Sequence, residues 1–204
     1  MARFERVHPV TDDGKAPALP QLVEMLGEHN PALSVHAERV AEHAEAIARE
    51  MGLPAPAVGR VRLAARLHDL GKLWVPPEIL EKPGPLTESE WAEIRRHPGA
   101  AARVLQEVEL HDVACIVIAH HERPDGAGYP ERVPSAATPI EAQIVAVADV
   151  YDAMTSPRPY GRTLTHAEAR DELIRVASTQ LDANVVDAFL RVLDDVGLPQ
   201  RAAV

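Results

Sequence analysis

The chain has 204 residues, 46% hydrophobic but only 3% aromatic, with Lys+Arg 21 against Asp+Glu 31 and a formal net charge of −10. That length suits one domain with a short arm, and its core must be built from Ala, Leu, Val and Ile, a mix that favours helices. So acidic a chain lacks the basic footprint that a DNA or RNA duplex requires, although a few local cations can still hold a small anion.

Residues 1 to about 18 mix charge, glycine and proline (Thr11-Asp12-Asp13-Gly14-Lys15) and read as a loose arm. They contain no apolar signal core, no stretch of the chain reaches membrane-spanning length, and the lone Cys115 has no internal disulfide partner. The expectation is a cytoplasmic chain with no membrane association. A short helix is predicted over Leu19 to Glu28. Asn30-Pro31 interrupts it, and Ser34 reads as the N-cap of a helix running to Met51 with Gly52 as its stop. Val40, Ala44, Ile47 and Ala48 keep helical spacing within it. Pro54 and Pro56 open the next helix, whose Val58, Val61, Leu63, Ala64 and Leu67 lead into His68-Asp69-Leu70-Gly71-Lys72. A short helix follows Pro76-Pro77, and Pro83-Gly84-Pro85 makes a turn. Thr87 with Glu90 forms a capping box for a helix expected to end near His97-Pro98. Helices over Gly99 to Val108 and Asp112 to His121 come next, with Cys115 read as a small buried hydrophobe.

Residues 122 to 138, rich in proline and glycine, predict a long loop, and loops of that length inside a domain are usually functional. Ile144-Val145-Ala146-Val147 could be a buried strand. The length of Ile140 to Thr155 without Gly or Pro, and the spacing of Ile140, Ile144, Val147 and Tyr151, predict a helix instead. Pro157 and Pro159 end it, and two helices follow from Thr165 and from about Asp182. The whole reads as an all-α bundle with no significant β-sheet.

The double histidine His120-His121 ends an apolar run and precedes Glu122-Arg123-Pro124-Asp125-Gly126-Ala127-Gly128-Tyr129-Pro130. Histidines at a helix C-terminus are favoured by the dipole. They also suit a metal site with a substrate loop beside it, because a buried imidazole needs a partner. Several other predicted helices deliver a comparable side chain: His36, His68-Asp69, His97 and Asp149. Facing helices of a bundle can project such groups into one central site. Histidine and carboxylate without thiolate suit iron, manganese or catalytic zinc. These seven side chains exceed one tetrahedral site and fit two metals, with the bridge placed at His68-Asp69. Such a pair activates a bridging water and clamps the oxygens of a phosphoryl displacement. Lys72, one turn from Asp69, could reach a phosphate oxygen or the leaving group, and alone would read as a solvated lysine. His8, His29, His43, His111 and His166 lie in polar or terminal settings and read as surface residues.

His68-Asp69-Leu70-Gly71-Lys72 followed by His120-His121 through Tyr129-Pro130 resembles the HD-GYP family, a branch of the HD-domain phosphohydrolases. The resemblance extends to His36-Ala37-Glu38-Arg39-Val40, to Leu80 through Thr87, to Arg96-His97-Pro98 and to Ala148 through Tyr160, covering about residues 31 to 193. It implies an all-α catalytic domain over 31–196, preceded by an arm and short helix over 1–30 and followed by a tail over 197–204. It implies hydrolysis of cyclic di-GMP to pGpG, in some members onward to GMP, by attack of a metal-bridging hydroxide. It implies metal ligation by His36, His68, Asp69, His97, His120, His121 and Asp149, and contact of Lys72 with the scissile phosphate. Arg123, Asp125, Tyr129, Arg158 and Arg162 are the expected substrate contacts, and the Asp125 to Pro130 loop is linked in the family to GGDEF-domain partners. Ala32 stands where three-metal members place a glutamate, which implies two metals and disfavours conversion to GMP. Gly161 replaces a frequent basic residue, and Gln143 replaces a common arginine. The alternatives are an HD phosphohydrolase for another cyclic dinucleotide or nucleotide, or a non-catalytic cyclic di-GMP sensor or cyclase-docking module.

Overall fold

The computed structural model describes residues 19–29, 31–157 and 162–195. Ten α-helices are described: α1 (Leu19–His29), α2 (Pro31–Glu50), α3 (Ala55–Leu67), α4 (Pro77–Leu80), α5 (Glu88–Ile94), α6 (His97–Glu107), α7 (His111–Ala119), α8 (Ile140–Thr155), α9 (His166–Val176) and α10 (Ala183–Asp195). Short 3-10 turns occupy Leu70–Trp74 and Ser135–Ala137. Among the described residues there is no strand, only an isolated bridge between Ala177 and Leu181.

The core follows from small residues at helical spacing. α2 turns Ala37, Val40, Ala41, Ala44, Ile47 and Ala48 inward, and α3 turns Val61, Ala64, Ala65 and Leu67. Alanine-lined faces let α2 lie closely against α3 and α8, at the native packing density that interiors require. With few aromatics available, two carry much of the volume: Tyr151 and Phe189 are both buried and meet edge-to-face at 4.8 Å.

Several boundaries differ from the sequence expectation. α2 begins at Pro31, so Ser34 lies inside the helix and is not its cap. Proline suits the first turn, where its missing N–H has no acceptor and its fixed φ is already helical. The same rule starts α6 at His97 with Pro98 in its first turn, while the preceding helix ends at Ile94. Gly52 stops the α2 segment as expected, in the left-handed region at φ 72°. The α5 capping box forms, and so does one at Thr165 with Glu168 on α9. Gln143 is structural: its side-chain amide donates to the carbonyls of Ser135 (2.9 Å) and Thr138 (2.8 Å), pinning the 3-10 turn to α8.

Two side chains sit elsewhere than expected. Cys115 is exposed, because the core-facing positions of α7 are Val113, Ala114, Ile116 and Val117. His43 is half-buried, edge-on to Tyr151 at 5.2 Å and to Phe189 at 5.5 Å, and burial holds its pKa below the usual value. His111 and His166 are exposed, and His166 Nδ1 meets the Tyr151 hydroxyl at 2.7 Å. His8 and the side chain of His29 lie outside the described residues.

Candidate metal centre

Local sequence sets the site one element at a time. α3 ends on Leu67, and His68 and Asp69 follow before the turn at Leu70. Leu67 and Leu70 are fully buried on either side, so the polar pair is dragged inward with them. Each such anchor contributes about 1.5–3 kcal/mol, enough to offset part of the desolvation of His68 and Asp69. Gly71 then lets the turn press on α6. A Cβ there would lie 1.9 Å from the His97 carbonyl oxygen, so only glycine allows Asp69 to approach His97. α7 ends at Ala119, and the chain turns so that both His120 and His121 face the same space, with ring centroids 4.0 Å apart. α2 supplies His36 and α8 supplies Asp149.

These side chains converge on one buried region. His68, Asp69, His97 and His120 are each 1% exposed. One group comprises His36, His68 and Asp69, and a second His97, His120 and His121; within each, one donor atom per residue lies within 4.8 Å of the others. Asp69 stands between them. Its Oδ2 is 3.4 Å from His68 Nε2 and 3.9 Å from His36 Nε2, while its Oδ1 is 3.5 Å from His97 Nε2. Asp149 Oδ1 closes the first group, 3.1 Å from His36 Nε2 and 3.9 Å from His68 Nε2.

The hydrogen bonds fix the tautomers. The Nδ1 atoms of His68, His97 and His120 donate to the carbonyls of Ala65 (2.7 Å), Ile94 (2.8 Å) and Val117 (2.6 Å). A carbonyl only accepts, so each Nδ1 carries the proton and each neutral Nε2 presents a lone pair. Those three Nε2 atoms and Asp69 Oδ1 are buried without a hydrogen-bond partner. Four inward-facing orphan acceptors are costly unless a cation completes them. The donor set therefore fits a metal, and the clusters can hold one.

Electrostatics separate the two groups. Burial pushes His97 down to about 3 and His121 to about 4, and holds His120 well below its usual value. All three are neutral near pH 7, as ligands must be. His36 differs: burial opposes charge, but the carboxylates of Asp149 and Asp152 raise it to about 9. Asp69 and Asp149 are held far below the carboxylate range despite burial, Asp69 by Lys72 and the surrounding histidines, Asp149 by its hydrogen bond from His36. Lys72 Nζ donates to Asp69 Oδ2 at 2.6 Å.

Sequence reasoning gave no role to Asp152. It accepts from His36 Nδ1 at 2.6 Å and is itself gripped by Arg39 at 2.5 and 3.0 Å. A carboxylate behind a ligating histidine fixes its tautomer and raises its basicity. The available signal was spacing, because Asp149 and Asp152 share one face of α8 at i and i+3. Glu122 was also missed. Nearly buried at 5% exposure, it accepts from the backbone N–H groups of Glu131, Arg132 and Val133 at 2.7–3.1 Å. It thereby holds Arg132 in the left-handed region, at φ 56°.

A cavity of about 440 Å³ opens onto the centre. His121, Asp149 and Tyr129 line it, together with Trp91, Arg95, Arg123 and Arg132. That size lies within the usual range for small-ligand sites. Tyr129 stacks on His121 at 4.7 Å. Arg123 lines the cavity while paired with Asp125 at 2.6 Å, and Asp125 shapes the loop by accepting from Ala127 N. Arg162 is exposed, pairs with Glu168 and does not line the cavity. Arg158 and Gly161 lie outside the described residues. A larger hollow of about 630 Å³, lined by Trp74, Ile79 and Val104 among others, touches only His97 of the converging residues, whereas the smaller cavity touches His120, His121 and Asp149.

Comparison with known proteins identifies the family of the fold. A family model described as an HD domain matches residues 20–185. The cyclic di-GMP phosphodiesterase response regulator RpfG of Xanthomonas campestris is 38% identical over 176 residues, 85% of this chain and 47% of that protein. A cyclic di-GMP phosphodiesterase of Thermotoga maritima is 37% identical over 86% of this chain and 49% of its own length. A protein of Vibrio cholerae named 3'3'-cGAMP-specific phosphodiesterase 1 is 39% identical over 76% of this chain and 37% of its length. The chain thus spans about half the length, or less, of these curated relatives. Among solved structures, the PgpH HD domain of L. monocytogenes in complex with cyclic-di-AMP superposes with a TM-score of 0.61 at 20% identity, covering 90% of this chain and 100% of that one. At that identity it speaks for the fold alone. With the matching model covering residues 20–185, most of the chain, the chain belongs to the HD domain family.

Proposed function

We propose that the chain is a metal-dependent phosphodiesterase that opens cyclic di-GMP to linear pGpG. The observation that carries this reading is Asp69, buried between two ligand groups with one oxygen facing each. The relatives named as cyclic di-GMP phosphodiesterases support the substrate.

His36, His68 and Asp149 would hold one ion, His97, His120 and His121 the other, with Asp69 shared. Iron or manganese suits this nitrogen-and-oxygen set, with zinc the remaining choice. When bound, the ions supply Lewis-acid activation of water and neutralise charge on the phosphoryl oxygens. The chain's own residues do the rest. His97, His120 and His121 stay neutral, so their lone pairs are available without proton loss, whereas His36 must give up a proton to ligate. Asp152 and Arg39 orient His36 from behind. Lys72, within hydrogen-bond reach of Asp69, faces the same region; it binds a phosphate oxygen and gives a proton at Nζ to the departing 3'-oxygen. Water oxygen joins phosphorus, the bond to the 3'-oxygen breaks, and the ring opens. The arginines of the cavity wall, Arg95, Arg123 and Arg132, meet the anionic ligand in an otherwise acidic chain. With Ala32 unable to ligate, two metals and a linear dinucleotide product are expected. The loop from Asp125 to Pro130 is the surface offered to GGDEF-domain partners.

Protein loaded anaerobically with iron or manganese should convert cyclic di-GMP to pGpG, and Asp69→Ala should abolish turnover. Intact cyclic di-GMP after incubation with fully metallated protein would sink the proposal. The Vibrio cholerae relative favours a second reading, in which a mixed cyclic dinucleotide is preferred. Competing cyclic di-GMP, cyclic GMP-AMP and cyclic di-AMP in one assay decides between them.

A further inference from the structure

α5 spans Glu88–Ile94 and buries none of its side chains. It is fastened from outside, by the Thr87 cap and by Lys82 donating to both oxygens of Glu90 at 2.7 and 2.9 Å. Yet it carries a tryptophan, in a chain with two, that is 43% exposed. An indole left in water forgoes the burial a large apolar side chain normally gains. Exposed apolar residues scattered singly need no explanation. The others among the described residues, Val35, Ile140 and Ile174, line neither cavity, whereas Trp91 lines the cavity that His121 and Asp149 also line. Arg95, one turn along the helix, lines the same wall, with its guanidinium 5.7 Å from the indole centroid. An aromatic face beside a cation, lining the same cavity as the candidate metal ligands, is the combination that nucleic-acid bases stack upon.

We propose that Trp91 is the platform on which a nucleobase of the cyclic dinucleotide stacks while the adjoining phosphate faces the metal centre. This rests on the phosphodiesterase reading above. Trp91 then contributes binding and takes no part in the bond-breaking step, so its loss acts on KM and leaves kcat nearly unchanged. Stacking contributes about 5- to 150-fold per base.

The test uses the metal-loaded full chain with cyclic di-GMP. Trp91→Ala should raise KM by about that factor, and Trp91→Phe should recover most of the loss. Because no side chain of α5 is fully buried, the thermal midpoint of both variants should match wild type. In a Trp74→Phe background, where Trp91 is the remaining indole, saturating cyclic di-GMP should quench its emission. A Trp91→Ala enzyme with wild-type KM, or an indole emission that ignores the ligand, overturns the subsite while leaving the phosphodiesterase reading intact. A wild-type enzyme that neither binds nor cleaves any cyclic dinucleotide overturns that reading and the subsite with it.

Discussion

Gly71 is the tightest point of the centre. Its missing Cβ would fall 1.9 Å from the His97 carbonyl oxygen and 2.7 Å from the carbonyl carbon, and backbone cannot swing aside as a side chain can. Gly71→Ala should therefore cost about 1–3 kcal/mol of stability and separate Asp69 from His97. A thermal melt and a metal titration check this, and a variant with wild-type midpoint and full metal content would contradict it. Asp152 makes the complementary case. Asp152→Ala removes the acceptor behind His36 without touching a ligand, and metal affinity should fall about 10- to 100-fold; unchanged affinity by calorimetric titration would deny it the role. The two residues also mark how far the sequence could be read. His36, His68, His97, His120 and His121 are legible because imidazoles at helix ends and faces have few other reasons to converge. The need for glycine at position 71 is invisible, because it arises from contact with a backbone atom twenty-six positions away. His43 and Cys115 failed for a related reason: flanking charge or an apolar run describes neighbours in sequence, while burial depends on which face the helix turns inward.

At the scale of elements, two helices with the same cap should respond differently to losing it. Thr87 and Thr165 each form a complete capping box. α9 anchors Ala169, Leu173 and Val176 in the core, so fraying its first turn is felt globally. Thr165→Ala should lower stability by about 1 kcal/mol in a denaturant melt. α5 has no fully buried side chain, so Thr87→Ala should leave the global midpoint nearly unchanged and instead raise amide exchange over residues 88–94. Equal effects on the midpoint would mean that α5 is part of the cooperative core. The Thr87 capping box and the length of α8 are readable from residue type and spacing; at Thr165 the sequence reading gives a helix start, and the structure adds its box with Glu168. The starts of α2 and α6 are not legible in this way, because Pro31 and Pro98 read as breaks in the sequence although each sits in a first turn.

For the whole molecule, the buried histidines set the pH response of the metal-free protein. His97 and His121, pushed by burial to about 3 and 4, bind fewer protons folded than unfolded, so their contribution is present above about pH 6.5 and declines as pH falls below it. His36, raised to about 9 by Asp149 and Asp152 against its burial, acts in the opposite sense: its contribution is present below about pH 6.5 and is lost as pH rises through 9. Stability of the metal-free chain should therefore peak near neutrality, which urea melts between pH 5 and 9 can follow, and a monotonic profile across that range would contradict the assignment. The all-α bundle itself was legible from composition, because so Ala-rich and aromatic-poor a chain has little else from which to build a core. Convergence of His36, His68, His97, His120, His121 and Asp149 around Asp69 is a property of the assembled molecule, and elemental analysis tests the proposed bridging role of Asp69 most directly. Wild-type protein reconstituted anaerobically should hold two metal ions per chain, and Asp69→Ala should retain at most one. A wild-type ratio of one, or an Asp69→Ala protein that keeps both ions, would contradict a centre built around a bridging Asp69.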